Sequence, residues 1–397
     1  MTRRPFYLGW LLYSVLLLGL CFTLARLHTA ESFDFRSFYA AGHILRTHPA
    51  QLYDPATELT TQNQYVSPLQ EPLPFYHLSY EALLYLPFSL LPFRVAYLAY
   101  AGFNLLLLPL LMRCSASAFD GTIPIWQPRP GWMLFPYFPL MIALWQGQNS
   151  LLFLVLLGLT WHILQRGRLT LAGALLGLGL FKPQLALPIA LLLALRYRRD
   201  FIVGFIASSA AVLALCGTVL RAAGMRAQWH LLLLGSLLSD QSSRAQQAMA
   251  VKPAAMPNLL GLLYVCGTRH LPPTTAVVVV LLTSLVALVA TGRALRNIED
   301  CSVVFSVAVL VAVLLSYHLY IHDLTVLLLP MALLGKRTSP YSLGALYLLP
   351  VLLLLYGGRN QIWLLAVPTL SLVVEALRSG NATLSANTAL PTDHSHP

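Results

Sequence analysis

Four short polar stretches interrupt a largely apolar chain, and each carries side chains suited to chemistry. The first is Glu31-Ser-Phe-Asp-Phe-Arg-Ser-Phe-Tyr39, with Asp34 at its centre. A carboxylate among aromatic rings at the end of a long apolar run can take a proton from a hydroxyl as a general base. It can equally cap the helix predicted over Phe35–Leu45, since Asp is a preferred residue there, with Arg36 and Ser37 in the first turn. The second stretch, Trp145-Gln-Gly-Gln-Asn149, offers the amides of Gln148 and Asn149 to a sugar, or to the start of a helix at Ser150. The third is Lys182, flanked by Phe181 and Pro183 with no acid nearby in sequence. An ammonium at membrane depth is costly, so it either holds an anion such as a substrate phosphate or snorkels to the interface. The fourth, His318-Leu-Tyr-Ile-His322-Asp323, reads as a helix start with both histidines on one face, four residues apart. Two imidazoles need a third ligand to hold a metal, whereas beside a helix start they can donate to a phosphate or sugar. Tyr76, His77, Tyr80 and Glu81 add a lesser cluster, with His77 and Glu81 at i,i+4 spacing; it reads first as packing.

The elements that position these residues must be membrane helices. The chain is 57% hydrophobic and only 10% charged over 397 residues, which is the composition of an all-α integral membrane protein. Apolar runs predict about twelve transmembrane spans: Phe6–Leu27, Val95–Met112, Gly131–Trp145, Ser150–Leu164, Thr170–Phe181, Gln184–Leu195, Phe201–Leu220, Pro272–Thr291, Val303–Tyr317, Leu324–Leu334, Ser342–Tyr356 and Gln361–Leu377. Several fall short of the ~20 residues of a full span, which a thinned bilayer or a protein-lined cavity tolerates. Thr170–Phe181 and Gln184–Leu195 meet at Lys182-Pro183 as a hairpin whose tip faces such a cavity. The first run is expected to stay in place as a helix, because no small-residue cleavage site follows it.

Loop charges orient the spans. Arg3 and Arg4, Arg113 and Arg129, Arg166 and Arg168, Arg196, Arg198 and Arg199, Arg293 and Arg296, Lys336 and Arg337, then Arg378 fall in alternate loops, which the positive-inside rule makes cytoplasmic. Asp34, the Gln146–Asn149 turn, Lys182, the segment Arg221–Pro257, His322-Asp323 and Arg359 fall in the others. The reactive residues therefore share the outer side, a result independent of any motif. The net charge of +11 is thus topological and points to no nucleic-acid partner. The first outer loop, residues 28–80, is long enough to fold: a short amphipathic helix over Phe35–Leu45, a turn or helix start at Tyr53-Asp54-Pro55, and extended chain from Pro68 to Pro74. Tyr80–Leu91 follows as a re-entrant or interfacial piece. Arg221–Pro257 is basic, with Arg244 and Lys252 as candidate ligands of a phosphate or of lipid headgroups. Residues 1–378 form one membrane domain, and the polar tail 379–397 is expected to be disordered.

The sequence also excludes several chemistries. No phosphate-binding glycine loop is present, and the cytoplasmic loops are too short for a nucleotide domain, so a substrate must arrive through the membrane. Cys21, Cys114, Cys216, Cys266 and Cys301 are single and mostly in apolar surroundings, which implies neither disulfides nor a metal site.

Five motifs in order give the chain its likeness. Asp34-Phe-Arg-Ser-Phe-Tyr-Ala-Ala, Phe75-Tyr-His with Tyr80-Glu-Ala-Leu-Leu and Leu86-Pro, Gly147-Gln-Asn-Ser, Phe181-Lys-Pro-Gln, and His322-Asp-Leu-Thr with Leu329-Pro together resemble glycosyltransferase family 87, from about Asp34 to Pro330. The resemblance implies a C-type membrane transferase in a bacterial-type inner (plasma) membrane. It implies a polyprenyl-phosphate sugar donor, typically of mannose, a lipid or glycan acceptor, no cofactor, and catalysis on the outer face by a first-loop carboxylate, which Asp34 matches. Lys182, His318, His322, Asp323, Gln148, Asn149, Arg36, Tyr39, His77, Glu81, Arg244 and Lys252 are the expected substrate-binding residues. The chain departs from the family pattern at Leu78-Ser79, where relatives carry prolines, and at Tyr317, where a proline often precedes the histidine. Two other readings compete with an inverting, metal-independent hexosyltransferase: a transporter or flippase of lipid-linked substrates, which needs ionisable residues along a path to both faces, and a non-catalytic envelope-assembly protein.

Overall fold

A computed structural model of the chain describes residues 4–68, 72–114, 136–230, 253–335, 337–355 and 359–388. Among them there are helices and turns and no strand. The α-helices are α1 (Arg4–Arg26), α2 (Phe35–Thr47), α3 (Pro55–Tyr65), α4 (Ser79–Tyr85), α5 (Phe93–Cys114), α6 (Phe138–Trp145), α7 (Ser150–Gln165), α8 (Leu169–Gly177), α9 (Pro183–His230), α10 (Leu259–Cys266), α11 (Pro273–Leu295), α12 (Cys301–Leu315), α13 (Leu328–Leu334), α14 (Pro340–Leu355) and α15 (Ala366–Thr388).

Five helices are long and apolar enough to cross a bilayer: Leu8–Arg26, Phe93–Cys114, Pro183–Leu220, Val278–Leu295 and Gln361–Asn381. Other predicted spans are shorter apolar helices, including Ser150–Gln165, Leu169–Phe181 and Cys301–Leu315. Breaks shorten them: the chain leaves α-geometry at Leu178–Phe181 before Lys182 and again between Leu315 and Leu328. α1 and α11 expose rows of Leu and Val, such as Leu11, Val15, Leu281 and Leu285, as lipid-facing helices do. α12 is the opposite case. Every residue from Val303 to Leu314 is buried, so an all-apolar helix forms the centre against which α9, α13 and α15 pack.

Three sequence expectations change here. α9 is assigned as one helix over the predicted loop Arg196–Arg199, yet Arg198 sits at φ 58°, a left-handed residue that interrupts the right-handed run and leaves two arms. The same helix carries on through Arg221 to His230, into the segment expected as loop. The second arm approaches α8 so closely that a Cβ on Gly173 would stand 2.1 Å from Phe201 O, and one on Gly204 1.8 Å from Thr170 O. Only small residues allow helices to meet at that distance. At the C-terminus α15 continues to Thr388, so its last turns occupy the stretch expected to be disordered, and 389–397 lie outside the described residues.

The loop after α1 forms its two expected helices, α2 and α3, while residues 69–71 of the expected extended run lie outside the described residues. Asp54 caps α3 by accepting from Thr57 N at 2.9 Å, with Pro55 in the first turn. Arg36 ties the loop together. Its Nε donates to Gln62 Oε1 (3.0 Å), Nη1 to Glu31 O (3.2 Å) and Ser67 Oγ (3.4 Å), and Nη2 to Asn63 Oδ1 (3.5 Å) and Ser67 O (2.5 Å). A guanidinium has five N–H donors, so none is left for a ligand, and the substrate-binding role expected of Arg36 gives way to a structural one. Tyr39, expected beside it, is buried and donates to Leu91 O at 2.8 Å.

Candidate functional site

The turn Gln146–Asn149 is the hub of the site. Gln148 Nε2 donates to Asp34 Oδ2, and Asn149 Nδ2 donates to Glu81 Oε1. The next residue, Ser150, donates to Asp323 Oδ1 at 3.3 Å, while Gln146 Oε1 lies 3.1 Å from His322 Nδ1. One turn therefore holds three acids and a histidine that the sequence spreads from residue 34 to residue 323. Neither amide caps α7: Asn149 occupies the N-cap position without a side-chain bond. Gln146 and Ser150 were not among the expected site residues, although Gln146 stands in the polar stretch and Ser150 in the motif Gly147-Gln-Asn-Ser.

Backbone conformation makes the turn possible. Gly147 has φ +69°, and a Cβ there would stand 2.7 Å from Phe35 Cβ, so the turn can lie directly on the start of α2. Phe35 N donates to Gln146 O at 3.2 Å, and Tyr97 OH donates to Trp145 O at 2.6 Å, pinning the turn to α2 and α5. Aromatic rings on either side of Asp34 fix α2 in turn. Phe33 meets Trp145 edge-on at 5.6 Å, Phe35 stacks on Tyr100 at 5.2 Å, and Phe38 stacks on Tyr85 at 4.7 Å. The aromatic company read from the sequence is the clamp that aims the carboxylate.

The acids around this site differ sharply in what they bond. Asp323 and Lys182 are each about 2% exposed as residues and form a 2.5 Å ion pair. Asp323 Oδ2 also accepts from Tyr320 N at 3.1 Å. Burial opposes charge on Asp323, but the Lys182 ammonium, the His322 ring and these hydrogen bonds outweigh it and hold the carboxyl below its ordinary value. Lys182, which has no acid in its own stretch, thus finds one 141 residues away and is neither free nor snorkelling. Glu81 is buried and its Oε1 is taken: besides Asn149 it accepts from Tyr85 OH at 3.3 Å, while Oε2 makes no hydrogen bond and meets only His77 Nδ1 at 2.8 Å as an ion-pair contact. Glu31 pairs with His28 at 2.7 Å and with Arg94 at 3.7 Å. Asp34 alone among these is half-exposed and bonded only by a neutral amide, with Oδ1 unpartnered among the described residues. It stands in the N-cap position of α2 but makes no side-chain cap bond, so the capping alternative is overturned.

The histidines join the same cluster by another route than predicted. His318 precedes the helical turn Ile321–Leu327, so it and His322 do not share a helix face. Burial, aided by His322, His77 and Lys182 and opposed by Asp323, pushes His318 down to about 4. Burial likewise holds His322 below its ordinary value, although Asp323 and Asp34 pull the other way. Burial thus favours the neutral form of both rings. No three ligating side chains are grouped for a metal among the described residues. Arg244 and Lys252 lie outside the described residues.

The helices leaving this cluster carry the basic residues at their far ends. α7 runs from Ser150 to Gln165 beside Arg166, α5 from Phe93 to Arg113, and α12 descends from the histidine segment to Asp300, which Arg337 meets at 2.5 Å. Arg196 Nε donates to Ile298 O at 3.1 Å at that end. Arg113, Arg166, Arg196 and Arg337 therefore lie at the end away from the cluster.

A model of glycosyltransferase family 87 matches residues 80–319, more than half of the chain. The chain belongs to glycosyltransferase family 87. No curated protein and no solved structure matches it. Membership makes this apolar helical protein a membrane-embedded glycosyltransferase and disfavours the transporter and scaffold readings. Asp34 precedes the stretch matched to the family, and the amide of Gln148 is what joins it to that stretch.

Proposed function

We infer that this family 87 protein transfers a hexose, mannose, from a polyprenyl-phosphate donor to an envelope lipid or glycan acceptor at the outer face of the membrane, within a C-type transferase fold. Asp34 is the general base. Its carboxylate takes the proton of an acceptor hydroxyl as that oxygen bonds the anomeric carbon, and the bond from the anomeric carbon to the phosphate oxygen breaks. The polyprenyl phosphate leaves as an anion, and a single displacement inverts the centre, so a β-linked donor gives an α-linked product. Neutral His318 can donate its N–H to the leaving phosphate, while His322, with Nδ1–H turned to Gln146 Oε1, orients the turn that holds Asp34.

The observation that carries this reading is the contrast in access and charge: Asp34 is half-exposed and held by one neutral amide, whereas Asp323 is buried in an ion pair with Lys182 and Glu81 is buried between Asn149, Tyr85 and His77. Gln148 can only donate from its NH₂, which keeps the Asp34 oxygen an acceptor rather than supplying it with a proton. The test is transfer by the purified chain in nanodiscs, given polyprenyl-phosphate mannose or polyprenyl-phosphate glucose with envelope lipid, and the product linkage read by NMR. Mannose transfer with inversion is expected. Transfer with retention, or from a nucleotide sugar alone, would overturn the mechanism.

A further inference from the structure

A second polar feature lies on the first outer loop and has no part in the chemistry above. A groove of about 420 Å³ opens between the C-terminal half of α2 and the outer side of α3. Thr57, Thr60, Thr61 and Gln64 form one wall, at the i, i+3, i+4, i+7 spacing of a single helix face, while Glu58 and Gln62 on the opposite face of α3 are buried. His43 and Tyr65 close it, their rings stacked at 4.0 Å and 13°. None of the lining residues is Asp, Glu, Lys or Arg, in a chain of net charge +11, so the groove is not built for a phosphate or a lipid headgroup.

The decisive residue is His43. It is 5% exposed, and its Nε2 has no partner. Nδ1 lies 3.2 Å from Arg46 Nη2. A guanidinium only donates, so Nδ1 accepts and the ring proton belongs on Nε2. Burial, with Arg46 nearby, pushes His43 down to about 4, which keeps the ring neutral. The result is a buried N–H donor in want of an acceptor, beside a tyrosine ring that is 41% exposed. Hydroxyls and amides along one wall, a neutral donor at the back and an aromatic face at the rim suit a molecule with many hydroxyls and an apolar C–H face.

We propose that this groove is a saccharide-binding site for neutral oligosaccharide, separate from the reaction centre. His43 lies nine residues after Asp34 on one helix, roughly 14 Å along the axis and on the opposite side. The groove therefore anchors sugar units other than the one being joined, as an enzyme acting on an extended glycan requires. His43 Nε2–H donates to a sugar oxygen, Thr61 and Gln64 reach further hydroxyls, and Tyr65 carries the C–H face.

Saturation-transfer NMR and calorimetry on the full chain in nanodiscs, with mannotriose and maltotriose as probes, test this. At least one trisaccharide binds the wild type. Tyr65→Ala abolishes or greatly weakens binding, His43→Phe keeps the ring stack and weakens binding about fivefold by loss of one hydrogen bond, and the exposed Gln64→Ala weakens it without touching the fold. Asp34→Asn, placed to stop turnover, leaves trisaccharide binding unchanged, which separates this site from the catalytic assignment. Failure of both trisaccharides to bind, or undiminished binding in Tyr65→Ala and Gln64→Ala, would overturn the proposal.

Discussion

Asp34 and Asp323 are held by side chains two residues apart, Gln148 and Ser150, yet their surroundings are opposite. Asp323 is buried and answered by a full cation, a serine hydroxyl and a backbone N–H. Asp34 is half-exposed and answered by one neutral amide. A buried charge stays only if paired, and once paired it has little left to give a substrate. A carboxylate steadied by an uncharged donor keeps both its orientation and a free oxygen. The difference separates a residue that holds the cluster together from one left open to a substrate, and the same substitution at both positions exposes it.

Asp34→Asn has the largest expected effect. It removes the basic oxygen while keeping shape, so turnover falls by roughly 10²–10⁴-fold, the usual share of general base catalysis. Because the side chain makes no cap bond, thermal stability stays within about 0.5 kcal/mol of wild type. Transfer rate and melting in nanodiscs measure both, and near-normal turnover would leave Asp34 without a catalytic role.

Asp323→Asn should behave in the reverse way. It strands the Lys182 ammonium in a buried site, at a cost of about 3–5 kcal/mol. Lys182→Met strands the carboxylate equally, so donor binding in that single variant cannot be separated from damage to the fold. The double variant Lys182→Met with Asp323→Leu removes both charges and recovers much of the stability. Equal melting temperatures for Asp323→Asn and wild type would show that the pair does not hold the site together.

This contrast marks how far the sequence could be read. The membrane-helix character and the helices of the loop after α1 were legible, because apolar length and turn residues are local properties. The partner of Lys182 was not, since a contact over 141 residues leaves no local trace. Arg36 looked available because its acceptors are carbonyls and amides, and such groups occur in every loop; only folding shows that Glu31 O and Ser67 O converge on it. The helical spacing of His318 and His322 misled because the chain reaches Ile321 through non-helical residues, a break that Tyr317-His318 does not announce.

Gly147→Ala probes the turn that serves both acids. The residue has φ +69°, and its new Cβ would meet Phe35 Cβ at 2.7 Å. A strained non-glycine residue costs about 1–3 kcal/mol. The turn must shift to relieve the clash, moving Gln148 off Asp34, so turnover falls along with stability. A melting curve and rate that match wild type would mean that the amides are not needed to aim the carboxylate.

The mildest test concerns Glu58, which shares the loop with Asp34 but is buried on α3, where its Oε1 accepts from Phe75 N at 3.0 Å. Burial pushes its pKa up to about 8, with Asp54 adding to the rise and the Phe75 bond opposing it. The folded chain therefore binds this proton more tightly than the unfolded chain. Below the ordinary carboxyl value both forms are protonated and the stabilisation is complete. As pH rises the unfolded chain ionises first, so stability falls by up to about 1.4 kcal/mol per pH unit until about pH 8, above which both forms are ionised. Glu58→Gln keeps an acceptor for Phe75 N and removes the titration, which flattens this part of the profile and raises the melting temperature at pH 8. Melting series from pH 5 to 8.5 on both proteins in nanodiscs decide the matter: parallel slopes would show that Glu58 ionises freely, and that the loop carrying Asp34 is wetter at its core than its packing implies.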